Sequence, residues 1–282
     1  VLDASSPEVS VVIGALNRRQ LLPALIDSVR EDLRQTSVEI IVVDGGSDDG
    51  SLEWLVAQKD VITIVQHNRG EWEGRPVPRR SWGYFMNLGF RAASADAVCM
   101  LSDDCLVVPG AIGAGLRVLA SDEDVGAVAF AWRNWPEQRR YWIGRTYGDT
   151  VFVNHGLYRA AALRDVGYAD EETYSFYCGD GDLCLRMSEA GWRCVASTES
   201  LVEHMSHVGT SSGPAGRDEA DMQAYADRWS RLGSPRQPWE YVTATDGSAT
   251  AERYWGKMKP SPREVWRRRT NLWLGAVRPR SR

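Results

Sequence analysis

The chain has 282 residues (31.4 kDa), 43% of them hydrophobic and 25% charged. That is globular composition and excludes a disordered or fibrous chain. A net charge of −5 and a pI near 5.5 argue against a nucleic-acid binder, which carries a basic face. Twelve Trp against five Phe is a surplus that serves either gripping surfaces or core filling.

No run of about 18 apolar residues occurs, so no membrane-spanning helix is expected. The opening VLDASSPEVS has neither a basic nor a long apolar segment and does not read as a signal peptide. The five cysteines, Cys99, Cys105, Cys178, Cys184 and Cys194, form no CxxC pair. Their irregular spacing predicts buried free thiols in a reducing, cytoplasmic setting.

Glu8–Gly14 is a β-branched run that predicts a buried strand, followed by a helix over Arg18–Arg34 with Leu21, Leu22, Leu25, Ile26, Val29 and Leu33 on one face. Val38–Val43 predicts a second strand, stopped by the turn-rich segment Asp44–Gly50. Ser51–Gln58 reads as helix, Val61–Val65 as strand, Ser81–Ala93 as helix and Ala97–Leu101 as strand. Pro109–Ala120 reads as a helix with Pro in its first turn, and Val125–Phe130 as a strand. This alternation predicts βαβ units and a doubly wound, mainly parallel sheet with helices on both faces.

Beyond residue 131 the pattern changes. Trp132–Asp149 is rich in Trp, Tyr and Arg with little periodicity. Asp182–Ala190 reads as helix, Trp192–Ala196 as strand, His204–Arg217 as a Gly/Ser-rich loop and Asp218–Leu232 as helix. The tail Lys257–Arg282 holds nine Lys/Arg against one acid, a net +8 that leaves −13 on the rest of the chain.

In an open parallel sheet, ligands bind beyond the carboxyl ends of the strands. Asn17 and Arg18, Asp44, and Asp103 with Asp104 all fall at such ends, so the fold predicts them on one rim. GALNRR after the first strand is not GxGxxG, and no Walker A sequence occurs, which disfavours a dinucleotide fold and a P-loop. Asp44 is placed either to accept from a ribose hydroxyl or base N–H, or to form its own turn. Asp103-Asp104 repel each other, and a hard divalent cation relieves that; the alternative is a solvated turn. Asp182 is placed to cap its helix and pair with Arg186, which leaves Asp180 free as a general base. His204 and His207 are the imidazoles near the Gly/Ser loop.

Taken in order, VSVVIGALNRRQLL, EIIVVDGGSDDGS, Asn87-Leu88-Gly89-Phe90, LSDDCLVVPGAI, HGLYRAAALRDVGYADE and GDGDLCLRMSEAGW resemble the family 2 glycosyltransferases, which have the GT-A fold. The likeness covers roughly residues 8 to 210. Two positions depart from the family pattern: Ser102 stands for the first Asp of its DXD segment, and Gly179 for the usual Glu before the base. An insertion, Gly70–Arg80, lengthens the loop after the third strand.

The resemblance implies a GT-A domain over residues 1–210, with a nucleotide-sugar half (about 1–130) and an acceptor half (about 131–210), then a helical and irregular C-terminal extension, 211–282. It implies inverting, in-line transfer of a sugar from a nucleoside diphosphate sugar (UDP, GDP or dTDP type) to a saccharide or other hydroxyl acceptor. Asp180 would be the base. Asn17, Arg18, Asp44 and Asp103 would hold the nucleotide. Asp104, with His207 or His204, would hold Mn²⁺ or Mg²⁺. Trp132, Trp135, Trp142 and Asp182 would lie on the acceptor side. The basic extension is placed to contact an anionic inner membrane surface, a second copy of the chain or the acidic body. The rival readings are a catalytically silent GT-A domain and a nucleotidyltransferase.

Overall fold

The computed structural model describes residues 6–205, 217–242, 248–256 and 258. The elements run β1 (Val9–Ala15), α1 (Leu22–Asp32), β2 (Val38–Asp44), α2 (Ser51–Val56), β3 (Val61–Val65), β4 (Glu71–Trp72), β5 (Arg75–Pro76), α3 (Trp82–Ala92), β6 (Ala97–Ser102), β7 (Cys105–Val107) and α4 (Ala111–Leu119). They continue with β8 (Val125–Asn134), β9 (Tyr141–Gly144), β10 (Gly156–Arg159), α5 (Ala160–Asp165), α6 (Gly179–Glu189), β11 (Arg193–His204), α7 (Arg217–Trp229), β12 (Trp239–Val242) and α8 (Ser248–Trp255).

One sheet runs in the order β12-β9-β8-β10-β6-β1-β2-β3, and β11 pairs with both β8 and β7. β6, β1, β2 and β3 are parallel, whereas β10, β9 and β12 join antiparallel. Every residue of β1 except Gly14 is buried, as expected of a strand covered on both faces. α1 and α4 pack one face, on Val11, Ile13, Val42 and Phe130. α3, α5 and α6 pack the other, on Val12, Ile41, Val98 and Tyr158. α3 approaches so closely that a Cβ on Gly89 would lie 2.3 Å from Val12 Cγ1, which is why glycine stands there. The expected α/β fold with helices on both faces is the one observed.

Several elements differ from expectation. The Gly70–Arg80 insertion folds into the hairpin β4–β5. β8 runs on to Asn134 and β9 follows; alternation is hidden in the sequence because Ala131 and Arg133 are buried while Trp132 is half-covered. α4 begins after Gly110 (φ +90°), beyond Pro109. α6 begins at Gly179, behind Cys178 (φ +67°), so Asp180 lies inside its first turn and Asp182 does not cap it.

The described parts of 211–282 join this fold. β12 extends the sheet, α7 lays Trp229 against Asp182, and α8 packs Tyr254 and Trp255 with Leu21, Leu106, Trp135 and Met205. Among the described residues no helix is long and apolar enough to cross a membrane. His207 and nearly all of the basic tail lie outside the described residues.

Candidate active site

The rim is knitted from the turns after β1 and β2. Asn17 takes φ +56°; its N–H donates to Ser47 Oγ (2.8 Å) and its Oδ1 accepts from Asp48 N (2.9 Å). Asp44 is fully buried. Its Oδ1 accepts from the N–H groups of Gly46 (2.8 Å) and Ser47 (2.7 Å), and its Oδ2 from Ser47 Oγ (2.7 Å). These bonds give Asp44 a turn-forming duty, and they hold the Gly45–Ser47 backbone at the rim.

Arg18, Asp103, Asp104 and His204 come together as the topology requires. Arg18 Nε lies 3.0 Å from Asp103 Oδ1, and Leu16 N donates to Asp103 Oδ2 (3.4 Å). Burial pushes the Asp103 carboxyl up to about 7; Arg18 opposes this and the neighbouring Asp104 charge adds to it. Burial acts upward on Asp104 as well, but His204, by hydrogen bond and charge, outweighs it and holds that carboxyl well below the usual range. The two adjacent acids are thus pushed in opposite directions.

His204 ends β11, which β7 pairs to Cys105 directly after Asp104. Its Nδ1 donates to Asn134 Oδ1 (2.7 Å), and its Nε2 lies 3.1 Å from Asp104 Oδ1. Arg18 Nε, Asp104 Oδ1 and His155 Nε2 are buried polar atoms with no aligned hydrogen-bond partner. Such atoms are costly unless a ligand completes them.

This arrangement fits a divalent cation. The Asn134 bond orients the ring with Nε2 toward Asp104, the usual support of an imidazole that ligates once a cation displaces the Nε2 proton. Cis ligands of an octahedral ion with ~2.1 Å bonds lie ~3.0 Å apart, close to the Asp104–His204 separation. Among the described residues no group of three or more His, Cys, Asp and Glu gathers as a complete protein cage. Asp104 and His204 are the residues here that could hold such an ion, with its other positions open to substrate or water.

Asp180 sits on the first turn of α6. It accepts from Asn154 Nδ2 (3.1 Å) and Gly181 N (2.8 Å). Burial raises its carboxyl above the ordinary aspartate value, and these two neutral donors only partly offset that. The next residue, His155, is fully buried and lies against the cation residues: its Nδ1 is 3.4 Å from Ser102 Oγ, and its ring is 5.7 Å from that of His204. Burial first, then His204, lowers His155 to about 3, so it is neutral. Asn154-His155 thus ties the candidate base to the candidate cation site. Gly156 follows because a Cβ there would meet Val128 O at 2.0 Å.

The sequence reading missed Asn154, His155 and Tyr225. Only adjacency to the HGLYR stretch marked the first two. Tyr225 comes from α7; its hydroxyl bonds Thr146 Oγ1 (2.6 Å) and would meet a Cβ on Gly181 at 2.5 Å.

Two expected acceptor residues are placed elsewhere. Trp135 is buried to 2% exposure and packs on Trp255 at 5.6 Å between ring centroids. Asp182 is fully buried and accepts from Tyr174 Oη (3.1 Å), Trp229 Nε1 (2.9 Å) and Arg186 Nε (2.7 Å). Both hold elements together and present nothing to a cleft. Trp132 and Trp142 are half-buried beside the cation residues; Trp132 lies 5.3 Å from His204 and 3.7 Å from Trp142 between centroids.

The Glycosyl transferase family 2 pattern matches residues 10–178, more than half of the chain. No curated protein sequence matches significantly. Among solved structures, TarS of S. aureus is similar with a TM-score of 0.56 and 16% identity, over 82% of this chain and 41% of that one. The mannosyltransferase PcManGT of Pyrobaculum calidifontis, in complex with GDP-Man and Mn²⁺, gives 0.53 and 14%, over 97% and 87%. TarS 1–349 in complex with UDP gives 0.51 and 16%, over 80% and 73%. The chain thus spans about two fifths of full TarS, and at these identities the likeness is one of fold. With the family pattern running from β1 through the loop before α6, the chain belongs to glycosyl transferase family 2.

Proposed function

We propose that the chain moves a sugar from a nucleoside diphosphate sugar to an acceptor hydroxyl by a single in-line, inverting displacement, in glycan or glycoconjugate synthesis. Complexes of similar folds with GDP-Man and Mn²⁺ and with UDP support the donor class. Asn17 and Arg18 contact the nucleotide, Asp103 meets its ribose or the cation, and Asp44 acts through the rim backbone that it shapes. Asp104 and His204 hold Mn²⁺ or Mg²⁺, and His207 is a further candidate outside the described residues. When bound, the cation neutralises charge developing on the leaving diphosphate. Asp180, kept receptive by burial, accepts the acceptor's proton as its oxygen attacks. Trp132 and Trp142 form the acceptor wall. The basic tail makes peripheral contact with an anionic membrane surface or a second copy, in a cytoplasmic setting.

The observation that carries the donor side is the Asp104 Oδ1–His204 Nε2 pair, 3.1 Å apart beside Arg18 and Asp103. Calorimetry of UDP and GDP with and without Mn²⁺ tests it. One of them binds in a Mn²⁺-dependent way, and Asp104→Ala abolishes that dependence. Equal Mn²⁺-dependent affinity in the variant contradicts the assignment.

A further inference from the structure

The sheet register sets aromatic rings in a row on three neighbouring strands. Trp132 on β8 pairs with Trp142 on β9, and Trp142 with Tyr241 on β12. Paired residues of adjacent strands share a face, about 4.8 Å apart along the sheet. Trp239, two residues before Tyr241, shares that face and meets Trp142 edge-on at 4.5 Å. The row starts 5.3 Å from His204 and grows more exposed outward: Trp132 and Trp142 are half-buried, Trp239 is 43% and Tyr241 58% exposed.

Exposed Trp and Tyr on an edge strand cost apolar hydration and invite unwanted association, so their presence in one aligned row requires a use. The fringe says what kind. Gln138 Oε1 accepts from Trp142 Nε1 (3.1 Å) and Asn134 N (2.8 Å), which fixes its planar amide beside the row. The Arg140 guanidinium lies 5.8 Å from the Tyr241 ring. Flat rings bordered by a fixed planar amide and a guanidinium match a molecule with apolar faces and a hydroxyl rim. An acyl chain would be opposed by the same polar fringe.

We propose that Trp132, Trp142, Trp239 and Tyr241 form an extended subsite for a saccharide chain on the acceptor, with the end that receives the sugar at Trp132 beside His204 and the chain running outward over β12. This deepens the glycosyltransfer reading and rests on it. It makes the C-terminal extension, which supplies β12, the part that reads acceptor length.

Binding of mono- and tetrasaccharides of glucose, galactose, mannose and N-acetylglucosamine, measured by calorimetry with UDP or GDP and Mn²⁺ present, tests the proposal. At least one tetrasaccharide binds about tenfold tighter than its monosaccharide, equivalent to about 1.4 kcal/mol. Trp239→Ala and Tyr241→Ala each remove most of that gain with unchanged nucleotide affinity and unchanged circular dichroism. A wild-type chain with no preference for any tetrasaccharide overturns the proposal, as does a preference that survives both substitutions. So does pelleting with phosphatidylglycerol vesicles that depends on Trp239 in place of saccharide binding. Failure of the wild-type chain to bind either nucleotide contradicts the glycosyltransfer reading itself, which separates the two failures.

Discussion

His204 is held at Nδ1 by Asn134, while its Nε2 faces Asp104 Oδ1 at 3.1 Å. Removing the Asn134 support frees the imidazole to turn and to change tautomer. Asn134→Ala therefore lowers Mn²⁺ affinity about 10–100-fold, the usual cost of losing such a partner, as read by calorimetry with nucleotide present. Asp180 poses a separate question of protonation. Its carboxyl is raised above 3.8 by burial, so the folded chain binds that proton more tightly than the unfolded one. Stability contributed by the group is then lost as pH rises from about 3.8 through the higher folded value. Asp180→Asn accordingly raises Tm at pH 7 by about 2–4 °C per kcal/mol relieved, and the gain vanishes below pH ~3.8. Calorimetric scans at pH 7 and at low pH check both statements. The acids were legible in the sequence because they end apolar strands or open a helix. Asn154 and His155 were not, because their partners lie 26 and 53 residues away in sequence and no local pattern announces them.

At the scale of elements, α6 owes its position to α7. Asp221 on α7 is buried and accepts the N–H groups of Ser175, Phe176 and Tyr177, each at 2.8 Å. Those residues lead into the turn that carries Asp180. Asp221→Ala leaves three donors without their carboxylate and costs about 2–4 kcal/mol, seen in denaturant unfolding, with faster amide exchange at residues 175–177. Unchanged stability and exchange would contradict the clamp. The parallel strands were legible because uninterrupted β-branched runs leave little alternative. The antiparallel half was not: in β8 the buried Arg133 pairs with Glu203 at 2.9 Å, so a charged residue occupies an inward position and breaks the apolar pattern. The early start of α6 was hidden for a related reason, since its first turn reads Gly-Asp-Gly-Asp and looks like a loop.

Across the whole molecule, the described parts of the C-terminal extension pack into the body of the fold. α8 seats Trp255 on Trp135 beside Leu106 and Met205, which flank the Asp104 and His204 positions. Trp135→Ala removes a fully buried indole and destabilises the fold by about 3–5 kcal/mol while the acceptor KM of the folded fraction stays unchanged; a raised KM at constant stability would return Trp135 to the acceptor wall. Among the described residues, Trp135 and Trp229 fill the core, while Trp132, Trp142 and Trp239 stand in the row. Composition announced the surplus but not the division, because burial depends on contacts distant in sequence, such as Trp135 with Trp255 and Trp142 with Trp239. The account turns on Asp180 as the proton acceptor for a sugar transferred beside Asp104 and His204. Its most direct test is the Asp180→Asn variant, assayed for glycosyl transfer and for Mn²⁺-dependent nucleotide binding in the same preparation. The account predicts transfer reduced by about 10²–10⁴-fold with nucleotide affinity unchanged, and near-wild-type transfer by a folded, nucleotide-binding Asp180→Asn protein would contradict it.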